Sequence, residues 1–318
     1  MDSSPCYSLK EYHFDEPIFN DIEATYIIHL EGNGRYEHIE KQLQTYHPTK
    51  LVYVLLNKGF KKCEKDKRID KSPLDLVDAF LTIFKDANEK KYENIIVLED
   101  DFIFDEKILD KTHSTSIETF LKEKQGNLFA YYLGTLPILQ ISMNTEHNRV
   151  FLSGGTHACI YPCAFIKHMV ENVKQETITD WDGYLNFSNY TRYKYHTPLC
   201  YQLFPQTENQ TNWGHENPIF RYISKKGIEC IKIMKLDTNI YPGYDIFEFT
   251  SKFIFWFIVF TLIIVNLVVN YFTYKNFKWL KKNWHYFIYL FIGNNVLYPI
   301  SILCIFALVV YIQTLLYV

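Results

Sequence analysis

No CxxC pair occurs in the 318 residues, and the seven cysteines, Cys6, Cys63, Cys159, Cys163, Cys200, Cys230 and Cys304, stand singly. An odd, scattered set makes a poor disulfide framework and a poor zinc site. The expectation is free, mostly buried thiols on the reducing side of a membrane. GxxxxGK[ST] and GxGxxG are both missing, which disfavours a P-loop enzyme and a dinucleotide-binding fold. GxSxG is missing too, and with it the nucleophile elbow of an α/β-hydrolase. Net charge is only −3, so the chain has no electrostatic footprint for nucleic acid. The opening MDSSPCYSLKEYHFDEPIFN has no apolar core, so no secretory signal peptide is expected there. Internal repeats and low-complexity linkers are also lacking.

Aromatics, by contrast, are plentiful, with 25 Tyr and 25 Phe. Composition changes sharply near Lys252. FIFWFIVFTLIIVNLVVNYF, residues 253–272, carries no charge over 20 residues. At about 1.5 Å per residue this just spans a bilayer core of roughly 30 Å. A basic, aromatic link follows over 273–285, with Lys275, Lys278, Lys281 and Lys282, and residues 286–318 are again uncharged. Gly293 and Pro299 interrupt that last stretch. The expectation is a membrane anchor over 251–318 with two transmembrane helices, about 253–272 and 296–317. Trp279, Trp284 and Tyr286 suit an aromatic belt. Orientation divides the signals. The lysines place the link in the cytoplasm and residues 1–250 opposite, where the sequons at Asn186, Asn189 and Asn209 would matter. Moving a folded domain across without a leader is hard. The expectation is a multi-pass membrane protein whose domain faces the cytosol.

The rest reads as a 1–20 extension and a 21–250 domain in which strands alternate with helices. ATYIIHLE (24–31), KLVYVLLN (50–57) and NIIVLE (94–99) are short apolar runs of strand type. LFAYYLG (128–134) and VFLSGGTHACIYP (150–162) supply two more. Ile39 and Leu43 mark one helix face, and CAFIKHMVENVK (163–174) reads as another helix. Ser72 as N-cap with Pro73 at the first helical position opens a helix running to about Asn88. This pattern predicts an α/β layered domain with a mostly parallel central sheet.

Glu99, Asp100 and Asp101 close the third strand, and the apolar FIF resumes at once, holding the turn inside the fold. In a parallel α/β sheet, ligands bind outside the carboxyl ends of the strands. Crowded carboxylates there repel one another. A divalent cation shared with substrate phosphates relieves that repulsion. The bland alternative is three acids capping a turn in water.

Over most of residues 22–215 the chain resembles the family 25 glycosyltransferases, which include lipopolysaccharide-type sugar transferases and collagen galactosyltransferase-like domains. The resemblance is collinear. It runs through YIIHLEGNGRYEHIEKQL, IIVLEDDFIF, YYLGT, GGTHACIYPCAFIKHM, TDWDGYL and TPLCYQLFPQTENQTNW. It implies a GT-A-like nucleotide-diphospho-sugar transferase domain. Asp101 and Glu99 would then hold Mn²⁺ or Mg²⁺ and, with Asp100, the diphosphate, while Arg35 would lie near the nucleotide.

Asp180 and Asp182 flank Trp181. A partly desolvated carboxylate can take a proton from an acceptor hydroxyl, and Trp181 offers an apolar face for a sugar. Asp182 matches the resembled family by its spacing to Leu185. The alternative makes Asp180 a helix cap and Asp182 a first-turn acid. His157, after two glycines, is a candidate for the donor site. His196 and His215 are weaker metal-ligand candidates, and Gln202 and Trp213 weaker acceptor contacts. The resulting expectation is a membrane-anchored, metal-dependent glycosyltransferase, moving a sugar from a nucleotide-diphosphate donor to a hydroxyl of a glycan, lipid or protein. The alternatives are a nucleotidyl- or phosphotransferase with the same acidic site, and an inactive membrane-anchored binding protein.

Overall fold

The computed structural model describes residues 5–203 and 243–275 continuously, together with residues 222, 225–227, 229, 232–233, 279, 282–283 and 285. The expected second transmembrane helix, His215, Trp213 and the Asn209 sequon lie outside the described residues. The chain divides into two units, one comprising 1–225 and 237–239 and the other 226–236 and 240–318.

The first unit is an α/β domain built on seven strands: β1 (Tyr7–His13), β2 (Ala24–Leu30), β3 (Leu51–Asn57), β4 (Asn94–Glu99), β6 (Phe129–Ser142), β7 (His147–Pro162) and β8 (Thr191–Tyr195). Their order across the sheet is β1-β3-β2-β4-β7-β6-β8. A two-stranded ribbon pairs β5 (Phe102–Phe104) with β9 (Cys200–Gln202).

Strand alternation makes the sheet two-faced. On one face Ile27, Val54, Ile96 and Leu98 pack with Ile39 and Leu43 of α1 (Tyr36–Thr45) and with Ile117 and Phe120 of α3 (Lys111–Glu123). The neighbouring residues Tyr26, Tyr53, Ile95 and Val97 face the other way. They meet Phe80 and Phe84 of α2 (Ser72–Glu89), Phe165 of α4 (Cys163–Asn172) and Trp181 of α5 (Trp181–Phe187).

Four expectations need correction. The sheet is mixed rather than mostly parallel. β2 runs parallel to β3 and β4, but β7 is antiparallel to both β4 and β6. Only residues 143–146 separate β6 from β7, and so short a connection permits a hairpin but no crossover. The N-terminal extension is in part a sheet strand, because β1 pairs antiparallel with β3 along Tyr7–His13. Cys6 and Cys63 are not free thiols: they form a disulfide, with Cα atoms 5.6 Å apart. Cys159, Cys163 and Cys200 are free. At the start of α2, Lys71 rather than Ser72 takes the cap position, which moves Pro73 from the expected first helical position to the second.

In the second unit, α6 (Gly243–Lys275) is 33 residues long. Its segment Glu248–Val269, 22 residues with mean hydropathy 2.5, is long and apolar enough to cross a membrane. It is the one such helix among the described residues.

Candidate active site

The parallel trio β3-β2-β4 ends its strands on one edge, and the residues just beyond Leu30 and Glu99 meet there. Asp100 is buried and fully engaged. Its Oδ2 accepts from His29 Nδ1 at 2.9 Å, the Leu30 amide at 3.2 Å and Asn33 Nδ2 at 2.6 Å. Its Oδ1 lies 3.1 Å from Arg35 Nε. Four donors saturate one carboxylate, so Asp100 fixes the turn after β2 instead of presenting oxygens to a ligand.

Asp101 is buried but less committed. Arg35 Nη1 donates to its Oδ2 at 3.3 Å. Gln202 Nε2 lies 3.3 and 3.2 Å from its two oxygens. The backbone of Asp101 is pinned as well, its carbonyl accepting from the Leu203 amide at 2.8 Å. Burial, followed by the charge of Asp100, pushes the Asp101 carboxyl up to about 7 against the pull of Arg35 and Gln202.

Glu99 is half-buried, and its Oε1 accepts from Thr156 Oγ1 at 3.1 Å. Desolvation raises its carboxyl well above the ordinary range, and Asp101 and Asp182 add repulsion. Asp182, from the first turn of α5, accepts from the Gly155 amide at 3.1 Å. Burial, then Asp180, raises it to about 6, while bonds from Thr156 and Gly155 hold it down. Thr156 thus stands between Glu99 and Asp182 and ties the acidic strand tip to α5.

Of the two expected catalytic acids, only Asp182 joins this group. Asp180 is exposed and caps α5, its Oδ2 accepting from the Gly183 amide at 2.6 Å. Trp181 is a core residue and no sugar wall. It is buried, stacks on Phe80 with ring centroids 4.5 Å apart, and donates from Nε1 to Tyr161 Oη at 3.0 Å.

His157 is buried behind the same edge. Its Nε2 donates to the Cys200 carbonyl at 3.4 Å, and its Nδ1 has no partner. Burial lowers this imidazole to about 4, so it is neutral at physiological pH. Gly155 has φ +78°, and a Cβ there would sit 3.2 Å from His157 Nδ1 and 3.3 Å from Gln202 Oε1. His157, Gln202 and the Gly155 backbone therefore converge where a larger residue would crowd them. His196 is engaged elsewhere, its Nδ1 3.2 Å from the Glu146 carbonyl.

The donor set suits a hard divalent cation, because two oxygen ligands on Glu99 and Asp101 lie desolvated and mutually repelling. Among the described residues no group of three His, Cys, Asp or Glu side chains could hold a metal ion alone. Such a cation would need oxygens from a bound phosphate to complete its shell.

The residues not anticipated from sequence are Thr156, His29 and Asn33. A hydroxyl between two acids gives no sequence signal when its partners lie 57 and 26 positions away.

No protein-family profile matches the chain, and no curated protein matches it. Among solved structures it is similar to A197 from STIV, with 13% identity over 59% of this chain and 87% of that one at TM-score 0.36. It is also similar to a glycosyltransferase involved in the glycosylation of the major capsid of PBCV-1, with 10% identity over 52% of this chain and 76% of that one at TM-score 0.31. A third likeness is to a Bacillus anthracis protein assigned as a glucose-1-phosphate thymidylyltransferase, with 10% identity over 69% of this chain and 79% of that one at TM-score 0.29. At these scores the likenesses carry no functional argument, and the reading of the site rests on its residues.

Proposed function

We propose that the protein is a glycosyltransferase of the kind its sequence resembles in family 25, transferring a sugar from a nucleotide-diphosphate donor to a hydroxyl of a glycan, lipid or protein. α6 would anchor it in a membrane. The observation that carries this reading is the convergence of three desolvated carboxylates, Glu99, Asp101 and Asp182, with the Arg35 guanidinium at the carboxyl edge of the parallel strands.

Glu99 and Asp101 would hold Mn²⁺ or Mg²⁺ together with diphosphate oxygens. Bound there, the ion supplies Lewis-acid stabilisation of the departing nucleoside diphosphate. Arg35 adds a fixed positive charge beside the diphosphate. Its own position is set by Asp100, so little reorganisation is needed as charge develops. Asp182 is the candidate general base. Raised to about 6, it is ionised at neutral pH yet basic enough to accept the acceptor hydroxyl's proton. His157, neutral, would line the donor side and accept a hydrogen bond at its free Nδ1.

The test is a screen of UDP-, GDP- and CMP-sugars for divalent-metal-dependent sugar release and transfer, run beside Asp101→Ala. Turnover that needs a divalent cation and collapses in the variant supports the proposal. Equal turnover in both proteins removes the acidic edge from the mechanism. Release of pyrophosphate from a nucleoside triphosphate and a sugar phosphate, in place of sugar transfer, would identify a nucleotidyltransferase.

A further inference from the structure

We infer that the domain of residues 5–203 faces an oxidising, glycosylating lumen, opposite to the cytosolic side expected from its N-terminus, and that Asn189 is its N-glycan attachment site. The inference is independent of the transferase reading.

The first observation is the Cys6–Cys63 disulfide, which joins positions 57 residues apart. It lies at the surface, where both residues are part-exposed. A bridge so placed is open to thiol reductants and persists only where the compartment does not reduce it. Its formation takes two electrons and two protons from the Cys6 and Cys63 thiols to a disulfide carrier, which leaves as a dithiol. The other described cysteines keep to the same logic. Cys159 and Cys200 are buried, away from any such exchange, and Cys163 donates to Glu93.

The second observation separates the two sequons that the structure describes. Asn186, in the last turn of α5, is bonded to the backbone of β7. Its Oδ1 accepts from the Ser153 amide at 3.0 Å and from Arg192, and its Nδ2 donates to the Ser153 carbonyl at 2.7 Å. A glycan on that nitrogen would break the pairing. Asn189 lies three residues on, in the bend between α5 and β8. It is exposed and enters none of the side-chain hydrogen bonds of the described residues, and Thr191 supplies the hydroxyl of Asn189-Tyr190-Thr191. An exposed bend of this kind accepts a bulky polar adduct without loss of packing. The transfer would join the Asn189 amide nitrogen to the anomeric carbon of a lipid-pyrophosphate-linked oligosaccharide. The anomeric C–O bond breaks, the lipid pyrophosphate departs and the amide gives up one proton.

The third observation is charge. Lys275, Lys278, Lys281 and Lys282 follow the apolar segment Glu248–Val269 closely, against Lys232, Lys235 and Lys252 at its other end. The flank with the excess of lysines stays on the cytoplasmic side. A single crossing by Glu248–Val269 then puts everything before it in the lumen, the side where the disulfide persists and where the exposed sequon can be used.

The full chain, translated with endoplasmic-reticulum microsomes, tests this. The expected result is an endoglycosidase-sensitive gain in apparent mass that disappears in both Asn189→Gln and Thr191→Ala, with residues before α6 protected from added protease. Cys6 and Cys63 should resist maleimide until a reductant is added. Asn189→Gln should leave the thermal midpoint unchanged, as befits an exposed site. A chain without a glycan, whose Cys6 and Cys63 label without reductant, overturns the orientation. A mass gain that survives in Asn189→Gln overturns the site.

Discussion

Arg35 Nη1 stands 3.3 Å from Asp101 Oδ2, and this guanidinium is the main charge opposing the upward pressure on the Asp101 carboxyl. Removing it has a signed consequence. In Arg35→Ala the Asp101 carboxyl should titrate above its present value of about 7, so the acid limb of a kcat/KM profile should move to higher pH. A lost charged hydrogen bond to diphosphate, at roughly 1.5–3 kcal/mol, lowers kcat/KM by about 10–100-fold. Arg35→Lys should restore the pH limb more than the donor affinity, since an ammonium carries the charge but not the two-pronged geometry. Initial rates across pH, with nucleotide sugar varied, check both.

Adjacent acids should behave oppositely on substitution. Asp100 answers four donors, so Asp100→Ala leaves the buried His29 and the Leu30 amide without their acceptor, frees Asn33 and takes one of the two carboxylates of Arg35. The expected cost is about 3–5 kcal/mol, read as a lowered urea midpoint. Asp100→Asn keeps some of the acceptor capacity and should cost less.

Much of this edge is legible in the sequence because its cause is local. An apolar run that stops at Glu99 announces a buried strand with acids at its tip, and Asp180 three residues before Gly183 announces a helix cap. What the chain does not announce is which side chain answers which. Asp100 and Asp101 are neighbours with the same chemistry, yet the β2 turn captures one and leaves the other, and only the parallel register Ile28↔Glu99 decides that. The mixed sheet escapes for a related reason. Apolar runs read the same in either direction, and direction is fixed by the length of chain between them. Pairing of Cys6 with Cys63 depends on β1 lying along β3, an edge strand whose exposed, polar residues give little periodic signal.

Asp101 also sets a pH dependence. Its folded-state value of about 7 lies above the ordinary 3.8, the reverse of a salt-bridged acid. Between those values the folded state binds more protons than the unfolded one, so stability falls as pH rises from about 4 to about 7 and is level above. Asp101→Asn should therefore stabilise the domain at pH 7.5 by an amount on the order of 4 kcal/mol, and should have almost no effect below pH 4. A cation at Glu99 and Asp101 should recover the same energy. Mn²⁺ is expected to raise the thermal midpoint of the unsubstituted protein at pH 7.5 in the presence of nucleoside diphosphate, and to leave Asp101→Asn unmoved. A midpoint that climbs equally in both proteins would place the cation elsewhere.

Gly134 is the remaining lever on the site, and it acts through backbone. A Cβ there would lie 1.9 Å from the Cys200 carbonyl oxygen and 2.6 Å from His157 Nε2. The carbonyl cannot swing aside as a side-chain tip could, so Gly134→Ala must push β9 away from β6. β9 carries Gln202, whose amide holds both oxygens of Asp101. The substitution should cost about 3 kcal/mol or more in stability. In the fraction that stays folded, kcat/KM should drop further because Asp101 loses its anchor. Gly154→Ala is the matched control, since a Cβ at Gly154 meets nothing within 4 Å. It should leave both the urea midpoint and the kinetics nearly unchanged. Equal tolerance of alanine at both positions would show that β9 does not press against β6 at Gly134.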